Sequence, residues 1–404
     1  MLSTRSKRFL KHNTPTLVRK YRDWRTNKVF GDTYWDARLS KTLNLVEGLE
    51  NKPFSTNMPS AYSKKLKRPT HAVVEINNTC NINCVMCQTQ SATRKKGRMT
   101  TDLLEETLDK LQFAGITNVA LHTLGDPLAN PRLGEVFAEL RKRGLTTSIC
   151  TNGLLLPRHA DTLLDYMDIC PSISFSVDGA TAETYERIRL GGKWKDLITA
   201  LELNNKKLRP RGMTTKIQMT VSKDNVHEVG MLIENFSKYV AYPAQDLAFH
   251  VITGLAPDNT YFNTFNLFTN HTHKNSMCTR VQGDPLWFNV DGTVSACCRD
   301  YHGELYVGDI RKHTFDEILE GEGLRKMQEA HESGDLSAYP PCNDCFRPDK
   351  RLDEIFNSTV QFFIRTSPKA TAAYYQKRVD DLCGILQSNG NYREKVEALL
   401  SKTI

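Results

Sequence analysis

The hydrophobic pattern between residues 71 and 254 alternates between two periods. Short apolar and β-branched runs such as HAVVEI predict strands, whereas longer stretches with apolar residues three and four positions apart, such as TTDLLEETLDKLQFAG, predict helices. Six strands separated by helices are predicted in this way: HAVVEI, NVALHTL, LTTSICTNG, SISFSVDG, TTKIQMTVS and DLAFHVITG. Because strands that alternate with helices form parallel sheets, we expect an α/β fold, either open and doubly wound or curled into all or part of a barrel.

The pattern changes after Gly254, where residues 255–277 are polar and aromatic without a clear period. The run WFNVDGTVSACC predicts a β-hairpin, because Asp291 and Gly292 form a turn signal between two alternating segments. The predicted organisation is a basic, mainly helical N-terminal extension (1–70), the α/β core (71–255), a connector (256–277), a cysteine-rich domain (278–350) and C-terminal helices (351–404).

Charge is distributed unevenly along the chain. The net charge is +8, and residues 1–70 hold 16 Lys and Arg against 5 Asp and Glu. A solvated helical arm is one interpretation of this extension, and contact with nucleic acid, glycan phosphate or a membrane surface is the other. No apolar run approaches 18 residues, and the basic N-terminus lacks a continuous apolar core, so neither a transmembrane segment nor a signal peptide is predicted.

Eleven cysteines are present, and most of them are clustered. An odd number, close spacing and no export signal favour metal thiolates in a reducing compartment over disulfides, and we expect the cytoplasm. Cys150, Cys170 and Cys383 lie in apolar strand or helix contexts and are predicted to pack in the core.

Cys80, Cys84 and Cys87 form a C-x3-C-x2-C cluster directly after the first predicted strand. Three thiolates suit iron–sulfur or zinc and leave one position open, as a catalytic metal requires. Polar, glycine-containing motifs end the next three strands: GDP (125–127), TNG (151–153) and SVDG (176–179). The carboxyl ends of parallel barrel strands meet on one face, where active sites are built, so these motifs together predict a cofactor site.

These motifs, in this order, resemble the radical S-adenosylmethionine superfamily over residues 71–255. The resemblance implies a partial (β/α)6, TIM-like barrel with a [4Fe-4S] cluster on the three cysteines and S-adenosylmethionine on the open iron. It also implies reductive cleavage to a 5′-deoxyadenosyl radical, hydrogen abstraction from a substrate, and an external one-electron reductant of the flavodoxin or ferredoxin type.

The resemblance also assigns residues to the cosubstrate. Those expected near its amino, carboxylate, ribose and adenine groups are Gly125, Asp126, Pro127, Ser176, Asp178, Arg189 and Met86. Asp126 stands where the family usually has Glu, which leaves a water-bridged contact open. Met86 stands where the family favours an aromatic residue, so it covers the adenine or fills the core. His122 and His250 are predicted to be core histidines rather than catalytic ones.

A second cysteine group, Cys278, Cys297, Cys342 and Cys345, surrounds the predicted hairpin. Four thiolates around a hairpin suit either a zinc ribbon or an auxiliary [4Fe-4S] cluster. The segment resembles a SPASM/twitch extension, and its five cysteines imply the shorter twitch form with a single auxiliary cluster. Cys298 is left over, as a packed side chain or as the hydrogen-atom donor that an epimerase of this superfamily requires.

The resemblance favours a dehydrogenase or epimerase that acts on a sugar, cyclitol, glycan or related small molecule, with the auxiliary cluster as electron acceptor. Three alternatives stay open. They are a SPASM-type maturase of ribosomally made peptides, an RNA-modifying enzyme that uses the basic arm, and a non-enzymatic metal-binding scaffold.

Overall fold

The computed structural model describes residues 31–51, 69–252, 260–268, 272–273, 278–282, 285–343, 345, 347–348, 350–388 and 390–401. Much of the predicted N-terminal extension, residues 1–30 and 52–68, lies outside this part of the chain. The same holds for residues 253–259, 269–271 and 274–277 of the predicted connector. Within the described residues no helix is long and apolar enough to cross a bilayer.

Six parallel strands form the core, and each lies within a predicted strand. They are β1 (His71–Val74), β2 (Asn118–Ala120), β3 (Ile149–Thr151), β4 (Ser172–Ser176), β5 (Thr214–Val221) and β6 (Leu247–Val251). β1 pairs with β2, and a parallel bridge between Asn118 and Thr146 joins β2 to the segment before β3. β3 to β6 pair in chain order. The predicted α/β fold with a partial barrel is confirmed.

Helices cover the outside of this sheet: Thr101–Phe113, Leu133–Lys142, Leu156–Asp165, Ala182–Ile188, Trp194–Leu203 and Val229–Phe236. Trp194–Leu203 was not predicted, because it follows the short helix Ala182–Ile188 with little sequence between them. Side chains on the strands alternate accordingly. Ile173 and Phe175 of β4 are fully buried, whereas Ser174 and Ser176 are half-buried and face the barrel interior.

The predicted hairpin is present and extends the barrel sheet. β7 (Trp287–Phe288) and β8 (Thr293–Ser295) are antiparallel, and β9 (Tyr306–Asp309) pairs with β8. The turn requires Gly292, whose φ is +86°. β7 also pairs in parallel with β1, on the edge opposite β2. The cysteine-rich region is therefore hydrogen-bonded to the first barrel strand.

The remaining helices lie in the connector and the C-terminal half: Pro243–Asp246, Thr260–Phe265, Phe315–Leu319, Glu322–Ser333, Pro340–Asn343, Lys350–Thr366, Ala372–Gln387 and Tyr392–Ser401. Thr260–Phe265 falls in the connector for which no period was predicted. The N-terminal helix Asp32–Asn51 packs against Lys350–Thr366. Phe356 and Phe363 are fully buried, so they form core contacts.

Lys350–Thr366, which we call the edge helix, covers the free side of β6. Asp353 Oδ1 accepts a hydrogen bond from the Val251 amide at 2.8 Å, and Asn357 Oδ1 accepts one from the Phe249 amide at 2.9 Å. One turn further on, Gln361 Nε2 donates to the Leu247 carbonyl at 2.7 Å. Polar side chains four residues apart thus satisfy backbone groups that a neighbouring strand would otherwise pair.

Candidate functional site

The cysteine loop after β1 is fixed by a short antiparallel pair of strands. Asn83–Cys84 pairs with Arg189–Leu190, and Cys84 lies opposite Arg189 in the register. The Arg189 Nη1 atom is 3.7 Å from Cys84 Sγ. The loop that carries the three predicted ligands is therefore attached to the segment that follows β4.

Each of the three sulfurs has a hydrogen-bonding partner in the protein. Besides the Arg189 contact, Asn152 Nδ2 lies 3.6 Å from Cys80 Sγ, and the Thr89 amide lies 3.4 Å from Cys87 Sγ. Donors to a thiolate stabilise its negative charge and tune the metal centre that it binds. Sequence reasoning noted TNG as a motif without assigning Asn152 a role, and it gave no signal for Thr89.

Burial shapes the protonation of these thiols. It raises the pKa of Cys80, and it raises the pKa of Cys84 to about 12 against the opposing charge of Arg189. Thiols of this kind become thiolates when a metal centre replaces their protons. The donor chemistry thus fits an iron–sulfur cluster.

The loop after β2 packs closely against the backbone of the loop after β1. Gly125 has φ +78°, and a Cβ there would lie 2.6 Å from the Thr79 carbonyl oxygen. The buried Asp126 carboxylate accepts hydrogen bonds from Thr151 Oγ1 at 2.8 Å and from the amides of Asn152 and Leu128 at 2.8 and 2.9 Å. Asp126 therefore braces the ends of β2 and β3 against each other. Its predicted contact with the cosubstrate amino group stays a prediction, as does that of Pro127, which begins a 3-10 turn.

Asp178 and Arg189 form a buried ion pair with a separation of 2.6 Å. Asp178 Oδ1 also accepts a hydrogen bond from the Thr220 amide at 2.7 Å. Burial alone would lower the pKa of Arg189, but the charges of Asp178 and Cys84 outweigh it and raise the pKa. Arg189 Nε is buried and has no hydrogen-bond partner among the described residues, so one donor remains for an anionic group.

Ser176 lies beside a polar contact in the barrel interior. Gln218 Nε2 is 3.1 Å from Ser176 Oγ and 2.9 Å from Cys150 Sγ. The prediction that Cys150 packs in the apolar core was wrong, because alternation along β3 turns its side chain toward the interior. Cys170 and Cys383 are buried as predicted.

Both histidine predictions require correction. His122 Nδ1 is buried without a hydrogen-bond partner in the described part of the chain, and burial lowers the pKa of this residue. The described residues therefore enclose this ring without hydrogen-bonding its Nδ1 atom. His250 is exposed rather than buried, and its Nδ1 lies 3.3 Å from Asp353 Oδ2. Met86 is half-buried.

The second cysteine group comes together around one small cavity. Cys278, Cys297, Cys342 and Cys345 all line a cavity of about 40 Å³, larger than the roughly 10–15 Å³ that one water needs. Cys298 is not among its lining residues. The Cys298 thiol nevertheless interacts with that of the neighbouring Cys297, one of the four predicted ligands, so Cys298 lies beside the cluster of ligands without lining the cavity.

Basic groups accompany this second cavity. Arg280 and Arg299 line it, and Arg299 Nη1 lies 3.3 Å from Cys345 Sγ. No disulfide joins any of the eleven cysteines. Among the described residues, no three Cys, His, Asp or Glu side chains form a ready site for a single metal ion.

A larger cavity of about 530 Å³ lies along the interior faces of β4, β5 and β6. Gln218 lines it and also contacts Ser176, one of the residues predicted to bind the cosubstrate. Its other described lining residues come from the N-terminal helix, the edge helix and the segments that precede β5 and β6. The cavity therefore lies in the amino-terminal half of these strands, and Gln218 connects it to the predicted cofactor site.

Two family models match the chain. The radical SAM superfamily model matches residues 74–235, and the SPASM iron–sulfur cluster-binding domain model matches residues 278–346. The first match reaches from the end of β1 to beyond β5, and the second includes all four predicted auxiliary ligands.

Similar proteins include the AdoMet-dependent heme synthase of Methanosarcina barkeri, 30% identical over 182 residues, which are 45% of this chain and 50% of that protein. The mycofactocin maturase MftC of Mycobacterium tuberculosis is 26% identical over 184 residues, 45% of each chain. The chain thus spans about half the length of these curated relatives. Streptococcus suis SuiB, solved with its precursor peptide SuiA, shares the fold with a TM-score of 0.50 at 11% identity, over 77% of this chain and 75% of SuiB.

Proposed function

Because residues 74–235 belong to the radical SAM superfamily and residues 278–346 to the SPASM family, we propose that this chain is an oxidoreductase that abstracts a hydrogen atom from a substrate in the barrel interior. The observation that carries the proposal is the three-cysteine loop, in which every sulfur has a protein partner: Asn152 at the end of β3, Arg189 after β4, and Thr89 of the loop itself. In this proposal Cys80, Cys84 and Cys87 hold the cosubstrate-binding [4Fe-4S] cluster.

The four cysteines of the second cavity would hold the auxiliary cluster. When bound, the first cluster and S-adenosylmethionine supply a 5′-deoxyadenosyl radical, and the auxiliary cluster supplies an electron acceptor. The chain itself holds these groups and keeps the barrel interior polar. We expect Arg189 Nε to donate to the cosubstrate carboxylate, and Gly125 lets its loop lie against the backbone of Thr79.

A sugar, cyclitol or similar polar small molecule is the substrate class that the large cavity favours. Its volume of about 530 Å³ is within the ~300–1,000 Å³ typical of small-molecule sites. Its wall includes Ser174, Gln218 and Gln245, whose hydroxyl and amide groups suit a hydroxylated ligand. Net oxidation by a dehydrogenase is then the proposed outcome, and epimerisation would require a hydrogen donor such as Cys298.

A peptide is the second candidate, and the comparisons favour it over a sugar. MftC is named as a maturase, and SuiB was solved with a precursor peptide, although SuiB supports the fold alone. The heme synthase, which is about as similar to this chain as MftC is, is named for a non-peptide product, so sequence similarity at this level does not decide the substrate. The two candidates predict substrates that differ in size and in sensitivity to protease.

The decisive experiment is anaerobic reconstitution of the full chain, followed by iron and zinc analysis. About eight irons per chain fit two four-iron clusters, whereas about four irons with one zinc fit a zinc ribbon beside one cluster. Dithionite and S-adenosylmethionine should then release 5′-deoxyadenosine. Cys84→Ala should abolish the release, and Cys383→Ala, a core substitution, should retain it. A chain that binds no iron–sulfur cluster and releases no 5′-deoxyadenosine is a scaffold, and the proposal is then wrong.

The same assay separates the substrate classes when cell-extract fractions are added. Release stimulated by an ultrafiltered fraction that resists protease supports a small molecule. Stimulation lost on protease treatment supports a peptide, and stimulation lost on nuclease treatment supports RNA and the basic-arm hypothesis.

A further inference from the structure

The described walls of the large cavity carry more cations than carboxylates. Among the residues that the structure describes, the lining includes Arg38, Arg209 and Lys216 and one carboxylate, Asp246. The Asp246 carboxylate already accepts a hydrogen bond from the Tyr242 amide at 2.9 Å. An excess of cations in a confined, partly desolvated space attracts an anion more strongly than it would at an open surface.

Lys216 is one of the cations that line the cavity. It is on β5 between the buried residues Thr215 and Ile217, so alternation directs its side chain into the interior, where it is exposed to the cavity. No carboxylate forms an ion pair with it in the described part of the chain. A lysine in the middle of a strand, on the concave side of a sheet, is not explained by packing.

Arg38 is held in place by neutral groups. Its Nη1 donates to the Tyr34 hydroxyl at 2.7 Å, and its Nη2 donates to Gln361 Oε1. The guanidinium also lies 5.6 Å from the centre of the Trp35 ring. These contacts fix the orientation of the side chain but do not cancel its charge, which remains for a bound anion.

Neutral hydrogen-bonding groups complete the chamber. The side-chain amide of Gln245 has no hydrogen-bond partner among the described residues, and Asn357 uses its oxygen on β6 while its nitrogen stays unpaired there. His250 also lines the cavity but is paired with Asp353 of the edge helix. Amide groups next to cations would bind a ligand that carries hydroxyls as well as a negative charge.

We propose that this cavity binds a phosphorylated, polyhydroxylated small molecule, with Lys216 and Arg38 on the phosphate and the amides on the hydroxyls. The inference rests on the proposed function, because it takes the barrel interior as the substrate chamber. It adds the substrate class: a sugar phosphate or a related phosphate ester, with the phosphate bound away from the cofactor motifs. The carbon atoms of the ligand then extend toward Gln218 and Ser176.

Pyridoxal 5′-phosphate is a suitable probe, because it joins an aldehyde to a phosphate. The Lys216 amine would add to the aldehyde carbon and release water to form an imine, and borohydride would then reduce the C=N bond to a stable amine. Peptide mass spectrometry of the anaerobically reconstituted full chain measures which lysines carry the pyridoxyl phosphate. Lys195, an exposed lysine on an outer helix, is the reference within the same molecule.

We expect Lys216 to be labelled at least about tenfold faster than Lys195, with glucose 1-phosphate protecting it and glucose not. Pyridoxal, which lacks the phosphate, should label both lysines at similar rates, and Arg38→Gln should remove the preference for Lys216. Equal labelling of the two lysines by the phosphate probe, or equal selectivity of pyridoxal, overturns the inference. Release of 5′-deoxyadenosine without substrate tests the proposed function separately, since it needs no ligand in this cavity.

Discussion

Replacing Asp178 by asparagine tests how much the buried ion pair between Asp178 and Arg189 stabilises the folded chain. The substitution keeps the shape of the side chain and an oxygen that can accept from the Thr220 amide, but it removes the charge opposite Arg189. The Asp178 side chain is 0% exposed and that of Arg189 is 9% exposed. Water therefore cannot replace the lost partner.

The expected cost follows from this burial. Leaving one member of a buried ion pair without its partner costs about 3–5 kcal/mol, because the remaining charge stays desolvated. An exposed pair contributes only about 0.2–1 kcal/mol. Asp109 provides a matched control, since it pairs with Arg143 at the same 2.6 Å but with its own side chain 63% exposed.

Urea unfolding of the full chain, followed by tryptophan fluorescence, measures both variants. Asp178→Asn should lower the free energy of unfolding by about 3–5 kcal/mol, and Asp109→Asn by less than about 1 kcal/mol. If Asp178→Asn lowers the free energy of unfolding no more than Asp109→Asn does, the buried ion pair does not stabilise the fold. Restored stability in the double variant Asp178→Asn with Arg189→Met would confirm that the stranded charge is the cause.

Three further predictions concern the sulfurs, the edge helix and pH. Asn152→Ala removes the donor to Cys80 and should lower the cluster midpoint potential in an EPR redox titration; an unchanged potential contradicts the assigned contact. Asn357→Leu leaves the Phe249 amide without its hydrogen-bond acceptor and should lower the free energy of urea unfolding by about 1–3 kcal/mol. No change in that free energy would mean that water hydrogen-bonds the edge of β6 instead. The hydrogen bond to its carboxylate partner raises the pKa of His250, so its stabilisation is complete below about pH 6.5 and is lost as pH rises through the raised value. His250→Gln should therefore make the midpoint of urea unfolding depend less on pH between pH 6 and 8. If the dependence on pH is unaltered, the contact between His250 and Asp353 does not contribute to stability.

Local pattern predicted the scaffold well for physical reasons. Each barrel strand contributes buried apolar residues to the face that packs against the helices, and this leaves a short apolar or β-branched run in the sequence. The cysteine spacing and the motifs after β2 and β4 were likewise visible, because the ligands of one site lie within a single loop or at successive strand ends.

Pairings between distant segments were not predictable in the same way. Arg189 reaches Cys84 because the two-residue strand Arg189–Leu190 pairs with the cysteine loop, more than 100 residues earlier in the chain. The interior position of Cys150 depends on the register of β3 within its run. The large cavity depends on two helices more than 300 residues apart in sequence.

The parallel pairing of β7 with β1 has a mechanical consequence. The Val73 and Glu75 amides donate to the Leu286 and Phe288 carbonyls at 3.1 and 2.8 Å, on the strand that leads directly into the first cysteine loop. Bending one region away from the other would require these main-chain bonds to break together. The first cysteine loop and Cys297 thus follow strands of one continuous sheet, so the distance between these two points is set when the sheet forms.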